Sequence, residues 1–379
     1  MSELRKKILG ETHRLVVKIG SRVLVDSENG GVRAPWIERF CESVATLRKA
    51  GMEVVVVTSG AVGTGMAVLG YAKKPDNIAE KQACAAVGQI DLMHTYREMF
   101  KRRDLVAAQI LLTADDFRER ARYKNLQNTI NALLAKGVIP VINENDSVAV
   151  AEIKVGDNDK LSSDVALFLD ADLLLIFTDE DGLFDANPKK NPQARLLQFV
   201  PEITAEILAM AGKPGEAGSA VSTGGMRSKL EAIKAVTKSG CNAFLANGMK
   251  VLPADVVLGT AQGTLFAGAS HKLNARKRWL SFVSTPRGVL TLDEGGAKAV
   301  REKHSSVLPV GVVTIMGRFS EGDLVEIRDQ EGNRLARGIT QINATNLKLV
   351  LGQKTSVVKT RLGTEAPDEV IHKNDMVLL

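Results

Sequence analysis

Cysteine is scarce in this chain of 379 residues: Cys41, Cys84 and Cys241 lie far apart, and none belongs to a C-x-x-C pair. An odd number at these spacings supports neither a disulfide framework nor a zinc site. We therefore expect three small, buried side chains, as is usual for free cysteine, in a protein of a reducing compartment.

Long apolar runs are also lacking. The first ten residues are charged and contain no apolar stretch of signal-peptide length. No segment reaches the roughly 18 apolar residues that a membrane helix needs. With 45% hydrophobic and 25% charged residues, the composition is that of an ordinary globular protein. These features predict a cytoplasmic protein that does not enter a membrane and is large enough for two domains.

Several familiar catalytic patterns do not occur. The sequence has no G-x-x-x-x-G-K-[ST], no G-x-G-x-x-G after a first strand, no H-E-x-x-H and no G-x-S-x-G. Its five histidines are scattered along the chain. A P-loop nucleoside triphosphatase, a Rossmann dehydrogenase and a histidine-based hydrolase therefore lack support.

The sequence does contain a regular alternation of apolar strands and amphipathic helices, from about residue 12 to about residue 268. The expected strands are 14–19, 53–57, 105–112, 138–142, 173–177 and 243–246. The expected helices are 35–50, 78–102, 123–136, 160–170 and 226–239. This pattern predicts an α/β fold with a mainly parallel sheet sandwiched by helices.

The remaining residues differ in texture. A polar, basic stretch at 271–278 is a plausible linker, and short apolar segments separated by Gly and acidic turns follow it. These segments are 288–292, 312–315, 324–327 and 335–339, and only 297–304 has a helical pattern. We expect a domain at 1–270 and a small, mostly-β, barrel-like domain at 279–379.

The charge is distributed unevenly between these parts. Residues 1–270 contain 33 basic and 32 acidic side chains, whereas residues 271–379 contain 17 and 12. A basic excess can indicate an anionic partner such as nucleic acid. The alternative is an ordinary solvated surface.

Polar motifs follow the predicted strands, at the positions where open parallel sheets bind ligands. The first strand contains Lys18, a point charge suited to phosphate, and continues into Gly20 and Ser21. Burying an unpaired lysine in a strand is costly, unless the lysine snorkels from the strand end. The second strand ends in the sequence TSGAVG (58–63), whose small residues at a helix start are typical of an anion-binding nest.

Two acidic and amide-rich motifs come next. INEND (142–146) follows a buried strand and suits a zwitterion, because a carboxylate such as that of Asp146 can hold an ammonium group. An ordinary polar loop is the alternative. GDNDK (156–160) precedes a helix and carries more Asp and Asn residues than one N-cap requires.

Two further motifs suit a nucleotide. TDEDGLF (178–184) follows a strand, and TGGMRSK (223–229) is a glycine nest at a helix start with Lys229 one turn inside. Two lysines near such loops favour phosphoryl transfer, in which catalysis is mostly positioning and neutralisation of charge. A carboxylate acceptor is already an anion at neutral pH, so that no general base is needed.

Together these motifs resemble the bacterial glutamate 5-kinases of the amino-acid kinase superfamily, over about residues 14–379. The matching stretches are VVKIGS (16–21), VVVVTSGAVGTG (54–65), KQACAAVGQ (81–89), VIPVINENDSVAVAEIKVGDND (138–159), FTDEDGLFDANP (177–188) and STGGMRSKL (222–230). The tail resembles the PUA domain, an RNA-binding module, through RKRW (276–279), LDEGGAKAV (292–300), SSVLPVGV (305–312) and FSEGDLVEI (319–327).

The resemblance implies a role for individual residues. Lys18 and Lys229 would contact the ATP phosphates, and Asp159 would hold both lysines in place. The residues implied to bind glutamate are Ser59, Asp146 and Asn158. The rest of the ATP site would comprise Thr178, Asp179, Thr223, Gly224, Gly225, Met226, Arg227 and Ser228. Mg²⁺ would arrive on the ATP phosphates, without a metal site of the protein's own.

The resemblance further implies the first step of proline biosynthesis, feedback inhibition by L-proline, a homo-oligomer (dimer or tetramer) and functional coupling to glutamate-5-semialdehyde dehydrogenase.

Alternatives stay open for the acceptor and for the tail. The acceptor could be aspartate, N-acetylglutamate or a nucleoside monophosphate, which the loop 143–159 would decide. The tail could bind RNA, or it could be a structural or oligomerisation domain. One departure is Arg22, where many members have a hydroxyl residue.

Overall fold

The computed structural model describes residues 3–26, 31–148, 158–188, 191–211, 225–270, 280 and 286–379. The chain forms two compact units, Met1–Lys272 and Leu273–Leu379. The expected linker at 271–278 lies outside the described residues, so the domain boundaries expected at 270 and 279 stay a prediction.

The N-terminal unit contains one eight-stranded sheet in the order β3-β4-β2-β1-β5-β7-β8-β6. Its strands are β1 (Arg14–Ile19), β2 (Glu53–Val57), β3 (Ala107–Leu112), β4 (Ile139–Glu144), β5 (Leu173–Thr178), β6 (Phe199–Val200), β7 (Asn242–Asn247) and β8 (Thr264–Phe266). Every pairing is parallel except that of β7 with β8. The expected α/β fold with a mainly parallel sheet is confirmed.

Helices cover this sheet. The described ones are α1 (Glu3–Gly10), α2 (Ser21–Leu24), α3 (Ala34–Lys49), α4 (Ala61–Val68), α5 (Ile78–Lys101), α6 (Ala114–Arg118), α7 (Arg120–Ala135), α8 (Asn158–Phe168), α9 (Ala205–Met210), α10 (Met226–Lys238) and α11 (Pro253–Val257). All six residues of β5 are buried, as are the last four of β2. Strands that are apolar throughout need cover on both faces, which explains their continuous Val and Leu runs.

The C-terminal unit contains a five-stranded sheet in the order β10-β9-β11-β12-β13. Its strands are β9 (Gly288–Leu292), β10 (Val312–Gly317), β11 (Leu324–Arg328), β12 (Arg334–Ile339) and β13 (Met376–Leu378). Apolar side chains of these strands pack into a separate core, which includes Leu290, Val325 and Ile327. The expected strand-rich domain is confirmed.

One expectation for this unit is wrong, because 297–304 is not its only helix. Its described α-helices are α12 (Glu294–Lys303), α13 (Ala344–Leu349) and α14 (Thr355–Leu362). The last two are too short to show a convincing 3.6-residue period. Asn343 is nevertheless a residue typical of a helix N-cap, and its side chain accepts a hydrogen bond from the backbone N–H of Asn346 at the start of α13.

Among the described helices, none combines the length and the apolar character that crossing a membrane requires.

Candidate active site

The polar residues that follow four central strands gather at one edge of the N-terminal sheet. The strands are neighbours in the order β4-β2-β1-β5, and all are parallel. Their carboxyl ends therefore meet at one edge, where open α/β sheets bind ligands. The first turns of α8 and α10 contact this edge through Asp159 and Lys229.

A buried carboxylate joins two lysines that are distant in sequence. Asp159 is fully buried, and its Oδ1 lies 2.5 Å from Lys18 Nζ while its Oδ2 lies 3.1 Å from Lys229 Nζ. The lysines are 6% and 7% exposed, respectively. The hydroxyl of Ser228 also donates to Asp159 Oδ2, at 3.1 Å. The two lysines and the aspartate sum to one positive charge, which favours an anionic ligand because burying net charge is costly.

The local sequence explains why these charges meet. Lys18 is the fifth residue of β1 and pairs with Val57 of β2 and Ile176 of β5, so its apolar stem is enclosed by buried strands. Asp159 and Lys229 lie in the first turns of α8 and α10. Backbone N–H groups there have no partner within the helix, and the helix dipole favours negative charge, so both helix starts favour a phosphate.

A second polar group lies beside the first and is centred on Asn158. Its amide nitrogen is 2.7 Å from Ser59 Oγ, 2.6 Å from the carbonyl oxygen of Thr58 and 3.1 Å from Asn143 Oδ1. Asn143 in turn donates to Gln89 Oε1 at 2.8 Å. An amide nitrogen has only two hydrogens for these three oxygens. One of the three can therefore be replaced by an oxygen of a bound molecule at no loss of hydrogen bonds.

Glycine makes this second group possible. Gly60 has φ +99°, which a residue with a side chain rarely adopts, and it turns the chain from β2 into α4. Where α4 crosses α5, a Cβ on Gly65 would lie 1.8 Å from the carbonyl oxygen of Cys84, and one on Gly88 would lie 2.0 Å from that of Ala61. The two helices therefore touch backbone to backbone, which brings the next residue of α5, Gln89, to Asn143.

Asp146 lies in the turn after β4 and is half-buried. Burial raises the pKa of its carboxyl group from 3.8 to about 6, against the opposing charge of Lys74. The structure brings Ser59 and Asn158 together through a hydrogen bond, and among the described residues no hydrogen bond or ion pair joins Asp146 to either of them. Ser59 is connected to Lys18 indirectly, because Asn158 and Asp159 are consecutive in α8.

The residues expected to bind the nucleotide form a third group. The hydroxyl of Thr178 donates to Asp179 Oδ1 at 3.0 Å, and Arg22 donates to Asp179 Oδ2. Burial alone would raise the pKa of Asp179, but the hydrogen bond and charge of Arg22 outweigh it and hold that pKa below the ordinary value. Asn247 donates to the carbonyl oxygen of Asp179 at 3.1 Å and to Asp181 Oδ1 at 2.9 Å, which fixes the turn after β5.

The start of α10 is only partly described. Thr223 and Gly224 lie outside the described residues, whereas Gly225 precedes the helix and Met226 begins it. The side chain of Arg227 donates to Glu231 at 2.9 Å and to the carbonyl oxygen of Leu208. Those contacts do not join it to the lysines. Ser228 and Lys229 are the residues of this segment that contact Asp159.

Three members of the site were not among the predicted site residues, namely Gln89, Asn143 and Asn247, although Asn143 lies in the INEND motif (142–146). Asn143 and Asn247 are polar residues at the ends of buried strands, and the same rule that selected Asp179 applies to them. Gln89 lies in the middle of α5, so no strand-end rule finds it. Among the described residues, no three His, Cys, Asp or Glu side chains are arranged to hold a metal ion.

Chemically, these groups could bind a polyphosphate and a small polar acceptor side by side. The two lysines and the helix starts neutralise phosphate charge, and the Asn158 group offers hydrogen bonds to the acceptor. Asp159 links the lysines to the Asn158 group, because it contacts both lysines and directly follows Asn158 in the chain.

Comparison with known proteins adds independent information. The model of the amino acid kinase family matches residues 13–247, and that of the PUA domain matches residues 288–362. The chain is 44% identical over 378 residues to a protein of Trichlorobacter lovleyi named glutamate 5-kinase, covering 99% of each chain. It is also 41% identical over 370 residues to the glutamate 5-kinase of Paramagnetospirillum magneticum, covering 98% of this chain and 99% of the relative.

Proposed function

Since the chain belongs to the amino acid kinase family, we propose that it transfers the γ-phosphoryl group of ATP to the γ-carboxylate of L-glutamate, the first step of proline biosynthesis. Its relatives of 41% and 44% identity, which align over nearly the whole chain, are named glutamate 5-kinase. The observation that carries the proposal is the bridge that Asp159 forms between Lys18 and Lys229.

On the donor side, the two lysines hold the phosphates of ATP. Phosphoryl transfer spreads negative charge over the oxygens of the transferring group, and preformed positive charge stabilises it. Asp159 keeps both ammonium groups in place before ATP arrives, so that little reorganisation is needed during the reaction. Mg²⁺ accompanies ATP as part of that substrate and neutralises phosphate charge when bound.

On the acceptor side, Ser59 and Asn158 supply the hydrogen bonds that hold glutamate, and Asp146 receives its ammonium group. Asn143 and Gln89 support Asn158 from behind, through the bonds described above. An acceptor with an acetylated amine carries no ammonium for Asp146, which favours glutamate over N-acetylglutamate.

The reaction needs no general base. A glutamate side chain has a pKa of about 4.3 and is an anion at neutral pH. One of its oxygens attacks the γ-phosphorus, the bond from that phosphorus to the bridging oxygen of ADP breaks, and ADP leaves with the electron pair. The products are γ-glutamyl phosphate and ADP, and no proton is transferred in the step.

The test is ADP release that depends on glutamate and Mg-ATP, with hydroxylamine present to trap the acyl phosphate as a hydroxamate. We expect hydroxamate from glutamate and little from aspartate or N-acetylglutamate, and no phosphorylation of a nucleoside monophosphate. Absence of hydroxamate from glutamate would reject the substrate, and product from another acceptor would replace it.

Four finer properties belong to the same proposal: a cytoplasmic location, inhibition by L-proline, a homo-oligomer and coupling to glutamate-5-semialdehyde dehydrogenase. The cytoplasmic location rests on the composition and the lack of long apolar runs in the sequence, and the other three rest on the family resemblance. The hydroxamate assay with and without proline tests the inhibition by L-proline. Sedimentation of the whole chain gives the oligomer size.

An accessory contact with RNA through the PUA domain is a second candidate function. The observation that favours it is a cluster of Arg328, Arg334 and Arg337 around the buried Glu326 on one side of the C-terminal sheet. Filter binding of the full chain to a structured RNA, repeated at several salt concentrations, tests it. Tight, strongly salt-dependent retention would support RNA contact, whereas none would leave a structural role.

A further inference from the structure

Arg22 lies at the edge of the sheet that holds the lysines, and its guanidinium has a specific neighbour there. It lies in α2, directly after β1, and its Nη1 donates to Asp179 Oδ2, directly after β5. β1 and β5 are paired strands, with Ile19 opposite Phe177. Arg22 and Asp179 therefore extend from the same edge of the sheet as Lys18.

Asp179 is an anion at neutral pH in a group that we propose to bind ATP. Its pKa stays below the ordinary value because the hydrogen bond and charge of Arg22 outweigh the effect of burial. A carboxylate beside a polyphosphate is repulsive, since like charges at close range raise the energy of both. A positive charge at this position lowers that repulsion, and a guanidinium can in addition form hydrogen bonds with the phosphate itself.

Asp179 is held by contacts other than that with Arg22. Asn247 fixes the backbone of Asp179, and Thr178 donates to its second carboxylate oxygen, so that Asp179 stays in place without Arg22. The ion pair itself is open to solvent, with side-chain exposures of 32% and 38%. Exposed pairs contribute little to stability, whereas a guanidinium on a phosphate forms strong charge-assisted hydrogen bonds. Exchange of a carboxylate for a phosphate partner is therefore favourable for Arg22.

We propose that Arg22 is a phosphate-binding residue of the ATP site, with Asp179 as its partner when no nucleotide is bound. Together with Lys18 and Lys229, Arg22 would then be a third cation on the phosphates of ATP. The inference rests on the proposed kinase function, because it assigns ATP to this edge of the sheet.

The test compares nucleotide binding by the full-length protein and its Arg22→Ser, Arg22→Lys and Arg22→Ser/Asp179→Asn variants. Isothermal titration with a non-hydrolysable ATP analogue and Mg²⁺, and separately with adenosine, is done without glutamate. We expect Arg22→Ser to weaken binding of the ATP analogue about tenfold and to leave adenosine binding unchanged. Arg22→Lys should keep part of the affinity, and it still tests the proposal if the serine variant does not fold.

The double variant distinguishes a contact between Arg22 and the phosphate from a role in which Arg22 only neutralises the charge of Asp179. If Arg22 binds phosphate, removing the charge of Asp179 leaves the affinity for the ATP analogue low. Full recovery of affinity in Arg22→Ser/Asp179→Asn would overturn the proposal, as would unchanged binding in Arg22→Ser or an equal loss for adenosine. Arg97→Ser, which removes an exposed arginine from α5, is the matched control.

Failure of this inference and failure of the proposed function look different. A protein that makes no hydroxamate from glutamate but loses ATP affinity in Arg22→Ser keeps the inference and rejects the acceptor. Normal hydroxamate formation with unchanged ATP affinity in Arg22→Ser keeps the function and rejects the inference.

Discussion

Lys18 and Asp159 are 141 residues apart in the chain, yet the ammonium nitrogen of one lies 2.5 Å from a carboxylate oxygen of the other, and both are buried. A buried pair of this kind is rarely kept for stability, because desolvating both charges offsets most of their attraction. The pair is better explained by function, because Asp159 holds the ammonium group of Lys18 in a fixed position at the edge of the sheet.

Replacing Asp159 by Asn should impair both folding and catalysis. Lys18 and Lys229 would lose a shared counter-charge in a buried site, which costs about 3–5 kcal/mol of the free energy of unfolding. Urea unfolding followed by circular dichroism measures that loss. Turnover should fall as well, because neither lysine is held. An unchanged free energy of unfolding would contradict the assigned contacts.

Replacing Lys229 by Ala should lower turnover at least ~100-fold, which corresponds to about 2.7 kcal/mol of transition-state stabilisation. The reason is the loss of one positive charge that, in the proposed reaction, neutralises the transferring phosphoryl group. The measurement is the rate of ADP release at saturating glutamate and ATP. Lys238→Ala, an exposed lysine at the other end of α10, is the matched control and should keep the wild-type rate.

The apparent affinity for glutamate should depend on pH through Asp146. The pKa of this carboxyl group in the ligand-free protein is raised to about 6, so below that pH the group is neutral and no longer attracts an ammonium ion. We expect kcat/KM for glutamate to fall about tenfold per pH unit on the acid side, since kcat/KM reports the free enzyme.

The control for this profile is Asp146→Asn. It should have a low kcat/KM for glutamate at pH 8 and no acid limb near pH 6, while kcat/KM for ATP at saturating glutamate shows no such limb in either protein. An acid limb that persists in the variant would assign the titration to another group.

Asp164 on α8 should make the fold less stable as pH rises through the weakly acidic range. Burial raises the pKa of this side chain from 3.8 to about 6, although Lys160 Nζ lies 2.7 Å from both carboxylate oxygens. The lower value applies to the unfolded chain and the higher one to the folded protein. Between pH 4 and pH 6 the folded state therefore keeps a proton that the unfolded state releases. The free energy of unfolding therefore falls between pH 4 and pH 6, by about 3 kcal/mol in total.

Asp164→Asn removes this titration and should be more stable than the wild type at pH 7 but not at pH 4. Urea unfolding at both pH values measures the difference. Asp91→Asn, at an exposed position of α5, controls for a simple change in net charge. Equal effects of the two substitutions would show that the buried position of Asp164 is unimportant.

Gly88→Ala should destabilise the protein and weaken glutamate binding together. The added Cβ would lie 2.0 Å from the carbonyl oxygen of Ala61, so α4 and α5 must separate, at a cost of about 1–3 kcal/mol or more. Gln89 would then withdraw from Asn143, and KM for glutamate should rise. Gly10→Ala, where a Cβ meets no atom within 4 Å, should change neither property.

Much of this site was predictable from the sequence, because strand-end position and residue type are local properties. Lys18, Ser59, Asn158 and Asp179 all follow or end buried strands or begin helices, and they lie in the candidate site. The family resemblance supplied the pairing of Asp159 with both lysines, which no residue-by-residue rule gives. Asp159 is 141 residues from Lys18 and 70 residues from Lys229 in the chain.

Other features could not be predicted from one sequence. The approach of Gly65 to Cys84 and of Gly88 to Ala61 depends on how two helices cross, and a glycine in a helix has several explanations. Gln89 belongs to the site only through that crossing. The pair of Arg22 and Asp179 depends on β1 and β5 being neighbours although three other strands lie between them in the chain.

Asn158 and Asp159 are joined by a single peptide bond, one among the oxygens of the acceptor group and the other between the lysines. If the two groups bind the two reactants as proposed, their positions are set by residues joined through one peptide bond rather than by loops that can flex. A change of acceptor cannot be accommodated by sliding Asn158 without displacing the phosphate site as well. A new acceptor would then be accommodated most easily by changes at the other two proposed acceptor residues, Ser59 and Asp146.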